Sequence, residues 1–411
     1  MQNNNAKLNR SNPFAFFSRY PLQFWLMIVG ALINSIGSTM VWPFLLIYFR
    51  ERLGIGMLQA SSLLTIKAVA SLLSSIVAGS LTDRLGRKKV MVFSLISSGL
   101  SYLLFLPANT FPFYIFLMLL GGSVEPMYRV GSNAMLADLL PDEDRASGYA
   151  LLRMVTNIGL TIGPLLSGIL ILKSYAIMFT SAAICLVFYG LFALLFFRES
   201  MHIDRNKSGS QPIAIKDGGY GQIFRDGPFI AFCVSFFFLM TCMAPIFITL
   251  TAYAKENFGI PENQLGYLMT TNALVVIFFQ FGVTKITERR KPMQVMTFGA
   301  LIYALGAGSI ALGNTLWAFI GSMIVISLGE IILMPTSTTY TANAAPSHLR
   351  GRYMSIYGIS QEAGIGLGPI IAGALNDYLF PQAIWYGCMA AGLIGMLGFF
   401  LLSRFEIRLK V

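Results

Sequence analysis

Long apolar runs recur along almost the whole chain, and no other feature limits its fold as strongly. A helix needs about 20 apolar residues to cross a bilayer at 1.5 Å rise each. Read against their polar breaks, the runs give twelve spans, at 22–49, 57–81, 90–107, 113–136, 148–172, 175–197, 228–253, 264–284, 293–312, 317–343, 353–378 and 383–403. Only 11% of the 411 residues are charged and 55% are hydrophobic, whereas a soluble domain carries roughly 25% charged residues. A soluble enzyme, a nucleic-acid binder and a disordered chain are thereby excluded. Lipid offers the backbone no hydrogen bonds, so spans must be helices or a closed barrel. With 39 Gly and 17 Pro distributed through the apolar runs, helices are expected. The first run is too long for a signal-peptide core and no small-residue cleavage site follows it, so it is expected to be retained.

Basic residues set the expected orientation. Twenty-two of the 29 Lys and Arg fall on the side that carries the N-terminal tail, the loop after span 2, the central linker and the C-terminal tail. Four (Arg50, Arg52, Lys173 and Lys255) fall on the other side. By the positive-inside rule both termini are cytoplasmic. Lys67, Arg129 and Arg153 remain, inside spans. Cys185, Cys233, Cys242 and Cys388 lie in apolar stretches and read as small core residues, not a disulfide or metal set. His202 and His348 fall in polar segments, which leaves buried proton chemistry to carboxylates.

Residues 198–227 form the only long polar stretch between spans and divide them six and six. The expected units are a tail (1–20), a first bundle (21–197), a cytoplasmic linker (198–227), a second bundle (228–403) and a tail (404–411). The halves also match at an offset of 205 residues. Pro141 and Arg145 fall on Pro346 and Arg350, and Gly159, Gly163, Pro164 and Gly168 fall on Gly364, Gly368, Pro369 and Gly373. Glu125 falls on Glu330, Lys67 on Asn272 and Asn157 on Glu362. Parallel repeats of this kind are related by an axis along the membrane normal, with a substrate site near the midplane between them.

Residues 79–89, Gly-Ser-Leu-Thr-Asp-Arg-Leu-Gly-Arg-Lys-Lys, resemble the G-x-L-x-D-R-x-G-R-K/R signature that the major facilitator superfamily carries after its second span. Gly159-x-x-x-Gly163-Pro164-x-x-Ser167-Gly168 in span 5 is similar to the glycine-proline motif of that family's drug:proton antiporter branch. Pro141-Asp142-Glu143-Asp144-Arg145 resembles its turn between spans 4 and 5. The family's span-4 arginine motif is not reproduced around Arg129. The resemblance implies the major facilitator fold, with twelve transmembrane helices in two pseudo-symmetric six-helix bundles. It also implies that Gly79, Asp83, Arg84, Gly86 and Arg87, with Asp138 and Arg145 nearby, form a switch that latches the halves on the cytoplasmic face in the outward-open state. Gly159, Gly163, Pro164 and Gly168 are expected to form a tight seam between the halves that resists proton leak.

Intramembrane charges cost roughly 2.5–3.5 kcal/mol each on an insertion scale and usually line a functional cavity. Glu125 and Arg129 lie four apart on span 4, which predicts an internal ion pair, although an incoming cation could compete for Glu125. Glu330 and Glu362 have no basic residue one turn away on their own helices. An unpaired buried carboxylate is the group that takes up and releases protons near neutral pH. Glu330 is therefore the first expected proton carrier and Glu362 the second, with Glu125 the third member of the expected proton-coupling set. Asn34, Tyr128, Asn157 and Asn272 are candidate polar members of a substrate pocket.

The expected function is secondary active transport in the cell (inner or plasma) membrane, exporting lipophilic or cationic drug-like compounds in exchange for protons. The expected partners are a small-molecule substrate and the lipid bilayer, with no nucleic acid and no cofactor beyond the coupling proton, and the chain is expected to act as a monomer. Direct drive by ATP lacks its G-x-x-x-x-G-K-[ST] loop. One alternative keeps the fold and changes the cargo, with Lys67 and Arg129 clamping an anionic solute, lipid or metallophore. A membrane enzyme finds neither a metal cluster nor a nucleophile-base pair, and a channel does not account for paired halves with a latch motif.

Overall fold

The computed structural model describes residues 20–200, 220–346 and 349–408, and they are helical throughout their ordered elements. In chain order the long helices are α1 (Leu22–Leu53), α2 (Met57–Leu85), α3 (Arg87–Leu104), α4 (Phe111–Leu139), α5 (Asp142–Ile171) and α6 (Tyr175–Phe196). A short turn at Tyr220–Phe224 precedes α7 (Gly227–Phe258), α8 (Glu262–Thr287), α9 (Pro292–Leu312), α10 (Leu316–Ala344), α11 (Arg350–Tyr378) and α12 (Ala383–Arg408). Among the described residues nine of these are long and apolar enough to cross a membrane, and α3, α4 and α11 fall short of that hydropathy. His202, His348, most of the N-terminal tail and of the linker, and residues 409–411 lie outside the described residues.

Breaks in the helices follow from proline. Pro43 sits in a 3-10 turn, Trp42–Phe44, inside α1, and Pro245 opens a π-helical turn, Pro245–Thr249, inside α7. Each ring removes a backbone donor and clashes with the preceding turn. Pro43's own carbonyl accepts a hydrogen bond from Thr251 Oγ1 of α7 at 2.8 Å. Helix starts are equally local. Pro21, Pro141 and Pro261 precede α1, α5 and α8 in extended conformation, and Ser174 caps α6 by accepting from the Ala176 amide.

The sequence repeat reappears as a repeated core. Tyr48 and Tyr114 meet edge-on at 6.1 Å in the first half, and Tyr253 and Phe319, 205 residues on, meet edge-on at the same 6.1 Å in the second. Within the halves α2 packs on α4, α3 on α6, α8 on α10 and α9 on α12, while α2 against α11 and α5 against α8 join one half to the other. Large apolar side chains such as Ile76, Leu195, Phe278 and Phe281 point outward, as a chain surrounded by lipid requires.

The end of the bundle opposite the 79–89 loop, here the far end, is tied across the halves. Arg50 of α1 pairs with Glu256 of α7 at 2.8 Å, and Lys255 bridges Glu51 of α1 and Glu262 of α8. Asp377 at the end of α11 accepts from the Met57 and Leu58 amides that start α2, at 3.2 and 2.8 Å. Toward the other, basic end, a Cβ at Gly79 of α2 or Gly282 of α8 would meet nothing within 4 Å. The four cysteines are free thiols, three of them buried.

Candidate functional site

The intramembrane carboxylates do not pair as their sequence spacing predicts. Glu125 turns away from Arg129 on its own helix and binds Lys67 of α2, with Nζ 3.0 and 2.9 Å from its two oxygens. Tyr102 of α3 also donates to Glu125, at 3.3 Å. Arg129 reaches across the halves instead, to within 3.6 Å of Glu362 on α11. The expected Glu125–Arg129 pair is thus replaced by two others. Neighbours one turn apart on a helix can meet, but the stem of Lys67 brings an ammonium directly over Glu125 from the facing helix.

Glu330 stands where the repeat puts the partner of Glu125, and its neighbour stands where the repeat puts Lys67. Asn272 Nδ2 of α8 donates to Glu330 Oε2 at 2.7 Å and to Ser327 Oγ at 3.0 Å. Lys67–Glu125 and Asn272–Glu330 are therefore the same interhelix contact in the two halves, once with a cation and once with a neutral amide. Among the described residues no basic nitrogen lies within 4.0 Å of Glu330.

Two cavities repeat this relation. The larger, about 590 Å³, is lined by Asn34, Glu125, Tyr128, Arg129, Arg153 and Glu362 among others, with a band of serines from α1 to α4 (Ser35, Ser38, Ser71, Ser94, Ser98 and Ser132). It runs toward the basic end as far as Asn133 and Tyr149, near the α4–α5 turn. The smaller, about 70 Å³, lies between α5, α8 and α10 and is lined by Arg153, Asn157, Asn272, Gln280, Glu330 and Met334. Glu330, Met334 and Asn157 are the repeat positions of Glu125, Arg129 and Glu362. Lys67 lines neither cavity, because its ammonium is spent on Glu125 and its side chain is only 17% exposed. Arg129 is 58% exposed in the larger one. Arg153 lines both.

The loop 79–89 is built around Arg87. Its guanidinium meets Asp138 of α4 at 3.1 Å, Asp83 at 3.2 Å and the Thr82 carbonyl at 3.3 Å. Glu199, just past α6, accepts from the Arg87 and Lys88 amides at 2.8 and 3.2 Å, capping α3. Gly86 makes that approach possible. Its φ of +101° suits glycine, and a Cβ would collide with the Glu199 carboxylate. All these bonds lie within the first half and the start of the linker, the side chain of Asp83 is 69% exposed, and Arg84 is exposed. Arg145 donates to the Ala137 carbonyl at 2.9 Å, bracing the α4–α5 turn.

The span-5 seam divides between two neighbours. Gly159 and Gly163 pack on α1 of their own half, where a Cβ on Gly163 would come within 2.9 Å of the Ile36 carbonyl. The Pro164 carbonyl and Gly168 instead face α8, at Gly266 and Asn263. The expected seam between halves is thus made by Pro164 and Gly168 only. Residues 159 and 163 form one stripe and 164 and 168 another, about 100° around the helix. Gly364 and Gly368 pack on α7 and Gly373 on α2 in the same way.

The sequence description of the Major Facilitator Superfamily matches residues 27–253 and 237–410. The chain belongs to the Major Facilitator Superfamily. It is similar to the Na(+), Li(+), K(+)/H(+) antiporter of Planococcus maritimus, with 25% identity over 88% of this chain and 89% of that protein. It is also similar to the class H tetracycline resistance protein of Pasteurella multocida, with 23% identity over 89% of this chain and 91% of the relative. Among solved structures, a bacterial homologue of the human lysosomal transporter Spinster, inward-facing and unoccupied, superposes with a TM-score of 0.78 at 14% identity, over 96% of this chain and 98% of that one. Such likeness is to membrane transporters and not to enzymes, and the chain is a multi-pass transporter of this superfamily.

Within this superfamily member the sequence singles out Arg153 only as a charge inside a span, and the structure gives it a more central place, on the wall of both cavities. Gln280, whose amide donates to the Ile331 carbonyl at 3.0 Å beside Glu330, has no sequence signal beyond its polarity. Neither has the band of serines, a residue common in spans.

Proposed function

We propose that the chain is a proton-coupled antiporter of the cell membrane that exports lipophilic or cationic drug-like compounds by alternating access. It has twelve spans, works as a monomer, needs no cofactor beyond the proton, and keeps both termini and the basic end in the cytoplasm. Glu330 carries this proposal. Its carboxyl borders a small cavity between the halves and is held by a neutral amide at 2.7 Å. Asn272 can donate to the charged carboxylate or to the carbonyl of the acid, so it fits both states of a carrier. The larger cavity, within the 300–1,000 Å³ range usual for small-molecule sites, supplies the cargo side. Its wall carries Tyr128 for an apolar face, and Glu125 and Glu362, for which a cationic cargo competes with Lys67 and Arg129. With the far end tied and the cavity running to the basic end, this is the inward-open arrangement, from which cargo is loaded. Asp83, exposed and bonded among the described residues to Arg87 of its own half, serves as the latch once the basic end closes.

An anion clamp by Lys67 and Arg129 has less support, because Lys67 is bound to Glu125 outside the cavity wall. Adding ethidium or tetraphenylphosphonium to the purified protein should release protons from the parent and few from Glu330→Gln. Equal release from both removes Glu330 as the carrier.

A further inference from the structure

The contrast between the two repeat-related contacts extends the proton-coupled proposal and rests on it. We infer that Lys67 is the positioning residue that limits proton traffic to one half, by keeping Glu125 charged while its repeat counterpart Asn272 leaves Glu330 free to titrate. The contacts are alike in position and differ in the group that faces the carboxylate, an ammonium on both oxygens of Glu125 and a neutral amide on one oxygen of Glu330. Each joins the second helix of a half to the fourth, at positions 205 residues apart, with nitrogen-to-oxygen distances of 2.9 Å on Lys67 and 2.7 Å on Asn272.

A proton arriving at Glu125 must compete with an ammonium bonded to both oxygens at a partly buried site. A proton arriving at Glu330 displaces nothing. The other charges nearby do not reverse this contrast. Around Glu125, Tyr102 of α3 donates to the carboxylate, Arg129 is drawn to Glu362, and Arg153 faces it from α5 across the cavity. Around Glu330, α9 presents Tyr303 beside Gly329, and α5 presents Arg153 beyond ion-pair distance. At this contact the repeat has therefore diverged in the side chain that faces the carboxylate, lysine in the first half and asparagine in the second, and that difference sets which half carries the proton.

Infrared spectra of the full chain in lipid, recorded as pH is stepped, read the carbonyl stretch of protonated carboxyl groups without any cargo. Glu330→Gln should remove one titrating component from the parent. Lys67→Asn should add a second of similar size, removed in turn by Glu125→Gln in the same background, while Lys67→Arg adds none. Asn272→Lys should abolish the Glu330 component. A folded Lys67→Asn protein with no Glu125 component overturns the inference. If Lys67→Asn does not fold, Asn272→Lys decides, since a surviving Glu330 component is equally fatal. A parent with no Glu330 component defeats Glu330 as carrier, and the Lys67→Asn spectrum still tests the role of Lys67 alone.

Discussion

Replacing Asp377 with Ala should shift the balance between the two open states. The first turn of α2 contains no acidic residue and its N-cap, Gly56, offers no side chain. Asp377 caps it from the opposite half, accepting from the Met57 and Leu58 amides at 3.2 and 2.8 Å. Removing a capping oxygen typically costs about 1 kcal/mol, and a carboxylate at an exposed helix N-terminus contributes about 0.3–1 kcal/mol. Asp377 is exposed, so about 1 kcal/mol in total is the fair figure. The bond exists only while the far end is closed, and water satisfies the amides when it opens. The full amount therefore acts on the conformational equilibrium, a change of about fivefold toward far-end opening. Double electron–electron resonance between labels on Lys173 and Leu312, exposed far-end residues of the two halves, reads that population directly. Asp377→Asn keeps one acceptor and should shift it less. An unchanged distance distribution in Asp377→Ala refutes the cross-half cap.

Three further outcomes follow from packing and pairing. Gly163→Leu should lower the melting temperature and the yield, by overpacking of about 1–3 kcal/mol, because even a Cβ there meets the Ile36 carbonyl at 2.9 Å. Asp138→Asn should destabilise the protein measurably in a thermal melt, since Asp138 receives both Arg87 and Ser200 Oγ, the latter at 2.7 Å. Asp83→Asn should leave the melting temperature within a degree or two, since the Asp83–Arg87 pair is exposed on one side, yet slow vesicle transport if Asp83 closes the basic end.

Much of the architecture was legible because lipid makes its demand on every span separately. The starts of α1, α2, α6 and α12 at Leu22, Met57, Tyr175 and Ala383 coincide with the first residues of their apolar runs. The 205-residue offset was legible for the same reason as the aromatic cores of Tyr48–Tyr114 and Tyr253–Phe319: duplicated helices keep duplicated contacts. Pairing was not. Spacing along one helix suggested Glu125 with Arg129, but partners on facing helices depend on register and tilt, which no local pattern encodes. The far-end ties were hidden too, since Glu51, Lys255, Glu262 and Asp377 look in sequence like ordinary charges at helix ends. Gly159 and Gly163 announced close packing without saying which helix they approach.

The contact of α5 with α8 at Pro164, Gly168 and Gly266 is almost bare backbone, with no long side chain interposed. It lies near one tip of α5, a rod of 30 residues. The stretch from Gly168 back to Asp142 makes an arm of roughly 39 Å at 1.5 Å per residue. Tilting such an arm by only ~10° about that fulcrum would swing its distant tip by ~7 Å, enough to admit or shut out a flat aromatic molecule. The glycines thus act as a bearing: a slight turn where the rods touch becomes a wide stroke at the opposite mouth.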